Sequence, residues 1–209
     1  IFAFMTQNFF TTSNMINVLR QVSITGISSL GMFMIILLGD IDLSVGSMYA
    51  FIGVISAIVF KTTESTCLTL IVALALGIAI GLFNGIFTAK FRVPAFITTL
   101  ATMSICRGFA YIITGGSPIG VTNPKFTFLG TGYVFNLIPL PVIFMIIVLI
   151  LGMILVKHTR FGRYIYSCGG NAQAAKWSGI NVDKIRITVY VIAGFLNGFA
   201  AIILAGRLG

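Results

Sequence analysis

The chain has 209 residues, of which 58% are hydrophobic and only 8% charged, with a mean hydropathy of +1.09. Soluble domains carry about 25% charged residues, so 13 basic and 4 acidic side chains cannot clothe a water-soluble globule of this size. The net charge of +9 suits an anionic partner, but the bases lie scattered between apolar blocks with no aromatic and basic stripe, which excludes a nucleic-acid groove.

An integral membrane protein remains, and the fold class expected is an all-α polytopic helical bundle. A bilayer core about 30 Å thick needs about 20 apolar residues. In chain order the expected spans are Val22–Leu38, Leu43–Phe60, Cys67–Ala89, Val93–Ile113, Leu137–Val156 and Ile187–Ala205. All are apolar around the whole helix, unlike surface amphipathic helices. The alternating ten-residue segments of an outer-membrane barrel are missing. Cys67, Cys106 and Cys168 have no CxxC spacing, so neither a disulfide framework nor a metal site is indicated. No cofactor is expected.

The Lys and Arg distribution orients these spans. Lys157, Arg160, Arg163, Lys176, Lys184 and Arg186 fall between the fifth and sixth spans, and Lys90 and Arg92 between the third and fourth. Two spans separate these loops, so they share one side, and their charge marks it as cytoplasmic. The outer loop Thr114–Asn136 carries only Lys125, and Lys61–Thr66 balances Lys61 with Glu64. This places the approach to Val22 outside. The chain begins at Ile1, and a preceding helix is expected beyond it.

The first connector, Gly39-Asp40-Ile41-Asp42-Leu43-Ser44-Val45-Gly46-Ser47, is anomalous because each Asp at a helix centre costs about 2.5–3.5 kcal/mol. Two readings stand: a cytoplasmic turn whose carboxylates cap the next helix, or a broken helix whose Asp40, Asp42 and Ser44 line a pathway. The third span carries Gly77, Gly81 and Gly85 at four-residue spacing, a ridge that can seat a neighbouring helix. Gly81-Leu82-Phe83-Asn84-Gly85 is echoed by Gly194-Phe195-Leu196-Asn197-Gly198 in the last span, too short a match to establish a repeat. Asn84 and Asn197 serve either helix–helix hydrogen bonding or a substrate path. In the fourth span Pro94 suits the first helical turn, and Arg107 reads as an anchor near the outer face.

Within the basic loop, at about 157–186, the segment Ala172-Gln173-Ala174-Ala175-Lys176-Trp177 favours a helix. Asn171 is placed as its N-cap and Gly179 as its stop. So short a helix needs another surface to hold it, either anionic membrane lipid or a cytoplasmic partner.

These residues carry a family resemblance. Asp40-Ile41-Asp42-Leu43-Ser44-Val45-Gly46-Ser47 is similar to a characteristic segment of bacterial ribose-type ATP-binding cassette sugar permeases, within the wider branched-chain amino acid and sugar permease superfamily. Arg107-Gly108, Thr114-Gly115-Gly116-Ser117-Pro118 and His158-Thr159-Arg160-Phe161-Gly162-Arg163-Tyr164-Ile165-Tyr166 resemble the same family, as does Gly169-Gly170-Asn171 through Ser178-Gly179-Ile180-Asn181-Val182-Asp183-Lys184-Ile185. The likeness runs in order along nearly the whole chain.

The resemblance implies one permease domain over residues 1–209, cut at both ends, in the bacterial cytoplasmic membrane. It implies no catalysis of its own, and partners consisting of cytoplasmic ATPase subunits, an extracytoplasmic sugar-binding protein and a second permease copy. It places an ATPase-coupling segment at Gly169, Gly170, Asn171, Gln173, Ala174, Lys176 and Gly179. Two other classes are weighed against it. An ion-coupled carrier or passive channel would follow a gradient rather than ATP. An aspartyl intramembrane protease would need facing carboxylates from two segments, whereas Asp40 and Asp42 are two residues apart. The chain has no phosphate-binding loop of its own.

Overall fold

The structure, a computed structural model, describes residues 11–135 and 137–209. Asn136, the end of the expected outer loop, lies outside them. Among the described residues six helices are long and apolar enough to cross a membrane. They are α1 (Thr12–Leu37), α2 (Val45–Thr63), α3 (Thr66–Ala89), α4 (Ala95–Thr114), α6 (Leu140–His158) and α9 (Val182–Leu208). Three shorter helices sit outside the spans: α5 (Pro124–Thr131), α7 (Arg160–Gly170) and α8 (Ala172–Trp177). Tyr133–Val134 and Ile138–Pro139 form a small antiparallel pair, β1 and β2.

Each expected span coincides with one long helix, but the ends move. α1 starts ten residues before Val22, and α9 starts five before Ile187. The added turns contain Asn14, Asn17 and Arg20 in one case and Asp183, Lys184 and Arg186 in the other. An apolar window finds the membrane-compatible part of a helix, whereas backbone hydrogen bonding continues into water. Asn181 caps α9, its side chain accepting the Lys184 N–H at 2.9 Å. Pro94 is the N-cap of α4 rather than a first-turn residue.

The central helix is α9, which packs against α1, α2, α3 and α5. Its seam with α3 is made of glycine. Gly77, Gly81 and Gly85 face Gly194, Gly198, Tyr190 and Ile187, and a Cβ on Gly77 would lie 2.9 Å from the Gly198 Cα. The two helices run antiparallel, and the two Gly-rich runs that echo each other in sequence are the two halves of this contact. On its other side α9 closes the main apolar cluster with Ile27, Met34 and Ile35 of α1 and Ile165 of α7. Ser28 of α1 and Tyr49 of α2 share a hydrogen bond in the interior.

The connectors sort to two ends. Arg92, in the turn between α3 and α4, pairs with Asp183 at 3.8 Å. Asp40, in the turn between α1 and α2, pairs with Arg186 at 3.1 Å. The segment containing α7 and α8 lies at this same basic end, because Gly169 packs against the last carbonyl of α1, at Leu37. The two connectors that charge assigned to one face therefore meet there, and the Asp40 connector, for which two readings stood, joins them. At the opposite end the long connector is structured, not an open loop. Asn123 caps α5 with its side chain accepting from the Lys125 N–H, and Gly130 and Gly206 bring α5 against the end of α9. Arg20 donates to the Thr131 carbonyl at 2.6 Å and lies over the Tyr133 ring. Arg107 of α4 is exposed.

Candidate functional site

The connector between α1 and α2 begins where α1 stops. Gly39 has φ +80°, its N–H reaches the Ile36 carbonyl at 2.9 Å, and the Asp40 N–H reaches the Ile35 carbonyl at 3.2 Å. These two bonds close a helix end that requires a left-handed residue, which glycine adopts without a Cβ penalty. Since α1 and α2 are both of spanning length, the connector joins two spans; it is not a break inside one.

Its two carboxylates part company. Asp40 turns toward α9, where the Arg186 guanidinium meets it and the Tyr190 phenol faces it. Burial pushes the Asp40 carboxyl above the usual range, and Arg186 pulls it partly back. Asp42 is 4% exposed. Its Oδ1 accepts both the Ser44 N–H at 2.8 Å and the Ser44 hydroxyl at 2.6 Å. Burial raises this carboxyl as well, and the two Ser44 bonds oppose the rise. Ser44 occupies the N-cap position of α2 but makes no side-chain cap there, because its hydroxyl is turned to Asp42. The carboxylates thus face different groups, so they do not form the facing pair that acid–base chemistry on two aspartates needs.

The network extends across three helices. Asn84 of α3 donates to the Ser44 Oγ at 3.3 Å and accepts from the Thr102 hydroxyl of α4 at 2.6 Å. The Thr99 hydroxyl approaches the backbone of the same connector, at the Ile41 carbonyl and the Leu43 N–H. Asp42, Ser44 and Asn84 are therefore assembled in one buried polar cluster near the basic end. Among the described residues Asn197 touches this cluster only through Met48, whose sulfur also lies 3.4 Å from the Ser44 hydroxyl. Its Nδ2 lies 4.0 Å from the Met48 sulfur, and its Oδ1 has no hydrogen-bond partner among the described residues. Asp40 belongs to the Arg186 group instead.

This difference separates two otherwise similar asparagines. Asn84→Leu removes two good hydrogen bonds but leaves Ser44 bonded to Asp42 and Thr102 bonded to Thr98. A loss of about 1–2 kcal/mol is expected. Asn197→Leu removes a buried oxygen that has nothing to lose, and is expected to be neutral or slightly stabilising. Thermal unfolding of the two detergent-solubilised variants measures the contrast.

The residues of the other candidate segment lie beyond the membrane helices at the basic end. Asn171 caps α8, its side chain accepting the Ala174 N–H at 2.9 Å. Gly179 has φ +82° and ends the helix by the same two-bond motif that ends α1: its N–H reaches Lys176 and that of Ile180 reaches Ala175. Ala175 is buried beneath this helix, whereas Gln173, Ala174 and Lys176 are exposed. Gly169 and Gly170 are the last residues of α7, a strongly amphipathic helix within the basic segment 157–186. Thr159 before Gly162 was its available start signal, since the Thr159 hydroxyl accepts the Gly162 N–H at 3.2 Å.

The architecture is that of a multi-pass helical membrane protein with an ordered two-helix appendage at its basic end. Residues 14–209 match the family described as branched-chain amino acid transport system / permease component, and the chain belongs to that family. It is 41% identical to the ribose import permease protein RbsC of Haemophilus influenzae over 205 residues, covering 96% of this chain and 63% of that protein. It is 39% identical to Bacillus subtilis RbsC over 210 residues, covering all of this chain and 65% of the relative. The L-arabinose transport system permease protein AraH of Escherichia coli is 39% identical over 201 residues, 96% of this chain and 61% of AraH. The chain thus spans a little under two thirds of the length of these curated relatives. No solved structure matches it.

Proposed function

We propose that this chain is the membrane-crossing part of an ATP-binding cassette importer that admits a monosaccharide, with a separate ATPase supplying the energy. The observation that carries this reading is the 39–41% identity, along 96% or more of the chain, to relatives named for ribose and arabinose. In this reading the chain is a transport subunit without its own catalytic site. An extracytoplasmic sugar-binding protein delivers the substrate, and a second permease copy completes the complex.

The geometry supports a specific coupling route. The exposed face of α8, with Gln173, Ala174 and Lys176, receives the ATPase. Its rigid caps at Asn171 and Gly179 make the segment move as a unit. Force then passes to α1, where Gly169 presses on Leu37, and to α9, whose first turns follow Gly179 directly. Both helices reach the Asp40 and Arg186 pair, so motion at α8 shifts the connector that holds Asp42, Ser44 and Asn84. For a solute to pass along Asp40, Asp42, Ser44, Asn84 and Asn197, α2, α3 and α9 must part, as alternating access requires.

Replacing residues 171–179 by a Gly/Ser linker is expected to abolish both ATPase association and sugar uptake in reconstituted vesicles, while the protein still elutes as a folded species. Retention of both association and uptake would sink the coupling role. Uptake that follows an ion gradient without ATP would establish a secondary carrier instead.

A further inference from the structure

Seven buried side-chain nitrogen and oxygen atoms among the described residues make no hydrogen bond, and four of them stand in one place: Asp40 Oδ2, Arg186 Nε, the Tyr190 hydroxyl and Thr88 Oγ1. Roughly nine in ten buried polar groups in folded proteins are paired, so four unpaired ones together mark a point of local frustration. Arg186 Nε lies 3.1 Å from Asp40 Oδ2, close enough for charge attraction, but the two are not aligned as a hydrogen bond. Tyr190 is 1% exposed and Thr88 is buried. The Tyr190 phenol faces Asp40 and Thr88, with Asp42 and Arg186 in the same neighbourhood.

Arg186 and Tyr190 are four residues apart on α9, so they share one face of the helix and both reach the same carboxylate. Asp40 Oδ2 is thus an acceptor with two candidate donors, and it is hydrogen-bonded to neither. The height of Tyr190 is set by the seam with α3. A Cβ on Gly85 would lie 3.0 Å from the Tyr190 Cβ, and one on Gly81 would strike the Tyr190 carbonyl oxygen. These two glycines put no side chain of α3 between the turns of α9, so α9 can slide along them without repacking them. A small slide changes which donor is aligned with Asp40.

We propose that Arg186 and Tyr190 are alternative partners of Asp40, so that the contact between the α1–α2 connector and α9 is a two-position latch. In the conformation described, Arg186 holds Asp40 by charge and the Tyr190 hydroxyl is left over. When α9 slides and Arg186 draws away, the Tyr190 hydroxyl donates to Asp40 Oδ2 and the connector stays attached. Hydrogen bonds to an ionised carboxylate are roughly twice as strong as neutral ones, so the second position is held as well as the first. Small shifts at packed helix contacts become discrete states for this reason. The part of the latch in transport rests on the importer reading; its existence does not.

The test uses the full-length protein in detergent and Tyr190→Phe, which removes the hydroxyl and little else. Y190F alone is expected to leave the unfolding equilibrium constant within about two-fold of the unmodified protein, since an unbonded hydroxyl has no partner to lose. Arg186→Gln is expected to raise that constant at least about ten-fold more in the Y190F protein than in the unmodified one, because the hydroxyl is then missing as the substitute donor to Asp40. Adding Asp40→Asn is expected to erase the difference. A cost of about five-fold or more from Y190F alone shows a hydroxyl already bonded, directly or through water, and overturns the proposal. An equal cost of R186Q in both backgrounds overturns it too. If R186Q/Y190F does not fold while each single variant does, restored folding in D40N/R186Q/Y190F supports the latch and continued failure overturns it. In vesicles reconstituted with the ATPase and binding protein, Y190F is expected to lower the maximal uptake rate at least about five-fold with the KM for sugar unchanged. Unchanged uptake overturns the part of the latch in transport. Absence of ATP-driven uptake by the unmodified protein overturns the importer reading instead, and the unfolding comparison then decides the latch by itself.

Discussion

Replacing Gly77 with leucine is expected to prevent the protein from folding to a stable, monodisperse species in detergent. A side chain at this position would run into the Gly194 carbonyl oxygen, and its Cβ would approach the backbone of Gly198 to 2.9 Å. Ordinary overpacking costs about 1–3 kcal/mol because neighbouring side chains can rotate away. Here the obstacles are backbone atoms of α9, so only separation of the helices relieves the clash. That separation would open the centre of the bundle, since α9 touches α1, α2, α3 and α5. The matched control is Gly108→Ala, also in a helix but with nothing within 4 Å of its Cβ, where a neutral to slightly stabilising change is expected. Size-exclusion profiles and unfolding temperatures distinguish the two. A well-folded Gly77→Leu protein would show that the α3–α9 seam is not the structural centre of the fold.

The second large effect is expected at Asp40 and Arg186. Arg186→Gln leaves the Asp40 carboxylate, whose side chain is 11% exposed, without its cation. The expected loss is about 2–3 kcal/mol, at or below the lower end of what breaking a buried pair costs because Arg186 itself keeps contact with water. Asp40→Asn together with Arg186→Gln removes the stranded charge, so the double variant is expected to recover much of the stability lost in Arg186→Gln. A double-mutant cycle on the unfolding free energy reads the coupling directly. Additive losses would mean that the two groups do not interact. The same variants bear on transport in the proposed coupling route, because this pair joins the α1–α2 connector to the first turns of α9. A variant that keeps its stability when both charges are removed, yet takes up sugar poorly, would place the pair in coupling as well as in folding.

Much of this protein was legible before any coordinates. The six spans follow from apolar runs of about 20 residues, which only a bilayer tolerates at this density. The shared side of the Arg92 and Arg163 regions follows from span counting and from where the bases lie; the place of the Asp40 segment beside them needed the Arg186 pair. Asn171 and Gly179 announced a capped helix through local chemistry alone. The glycine spacing at Gly77, Gly81 and Gly85 announced a seam, and its likeness to Gly194 and Gly198 hinted that the two belong together.

Other features could not be read in sequence because they depend on partners far apart in the chain. The Asp40-to-Asp42 segment looked like two equivalent carboxylates, but one faces Arg186 and the other Ser44, and residue types two apart cannot say which. Asn84 and Asn197 sit in matching motifs, yet one bridges Ser44 and Thr102 while the other, among the described residues, meets a methionine sulfur alone. α7 is not legible as a membrane span because its mean composition is polar; its signal is a single apolar stripe, Ile165 and Cys168, whose burial depends on α1, α6 and α9.

The sequence by itself determined the class of protein, its number of spans and its basic end, since these depend on the transfer of side chains between water and lipid and are properties of local composition. Tertiary structure alone decided which polar groups share a partner, which are left without one, and which glycines touch. Hydrogen bonds, backbone contacts and ion pairs act over a few ångströms between residues tens of positions apart, and only the packed bundle brings those residues within range.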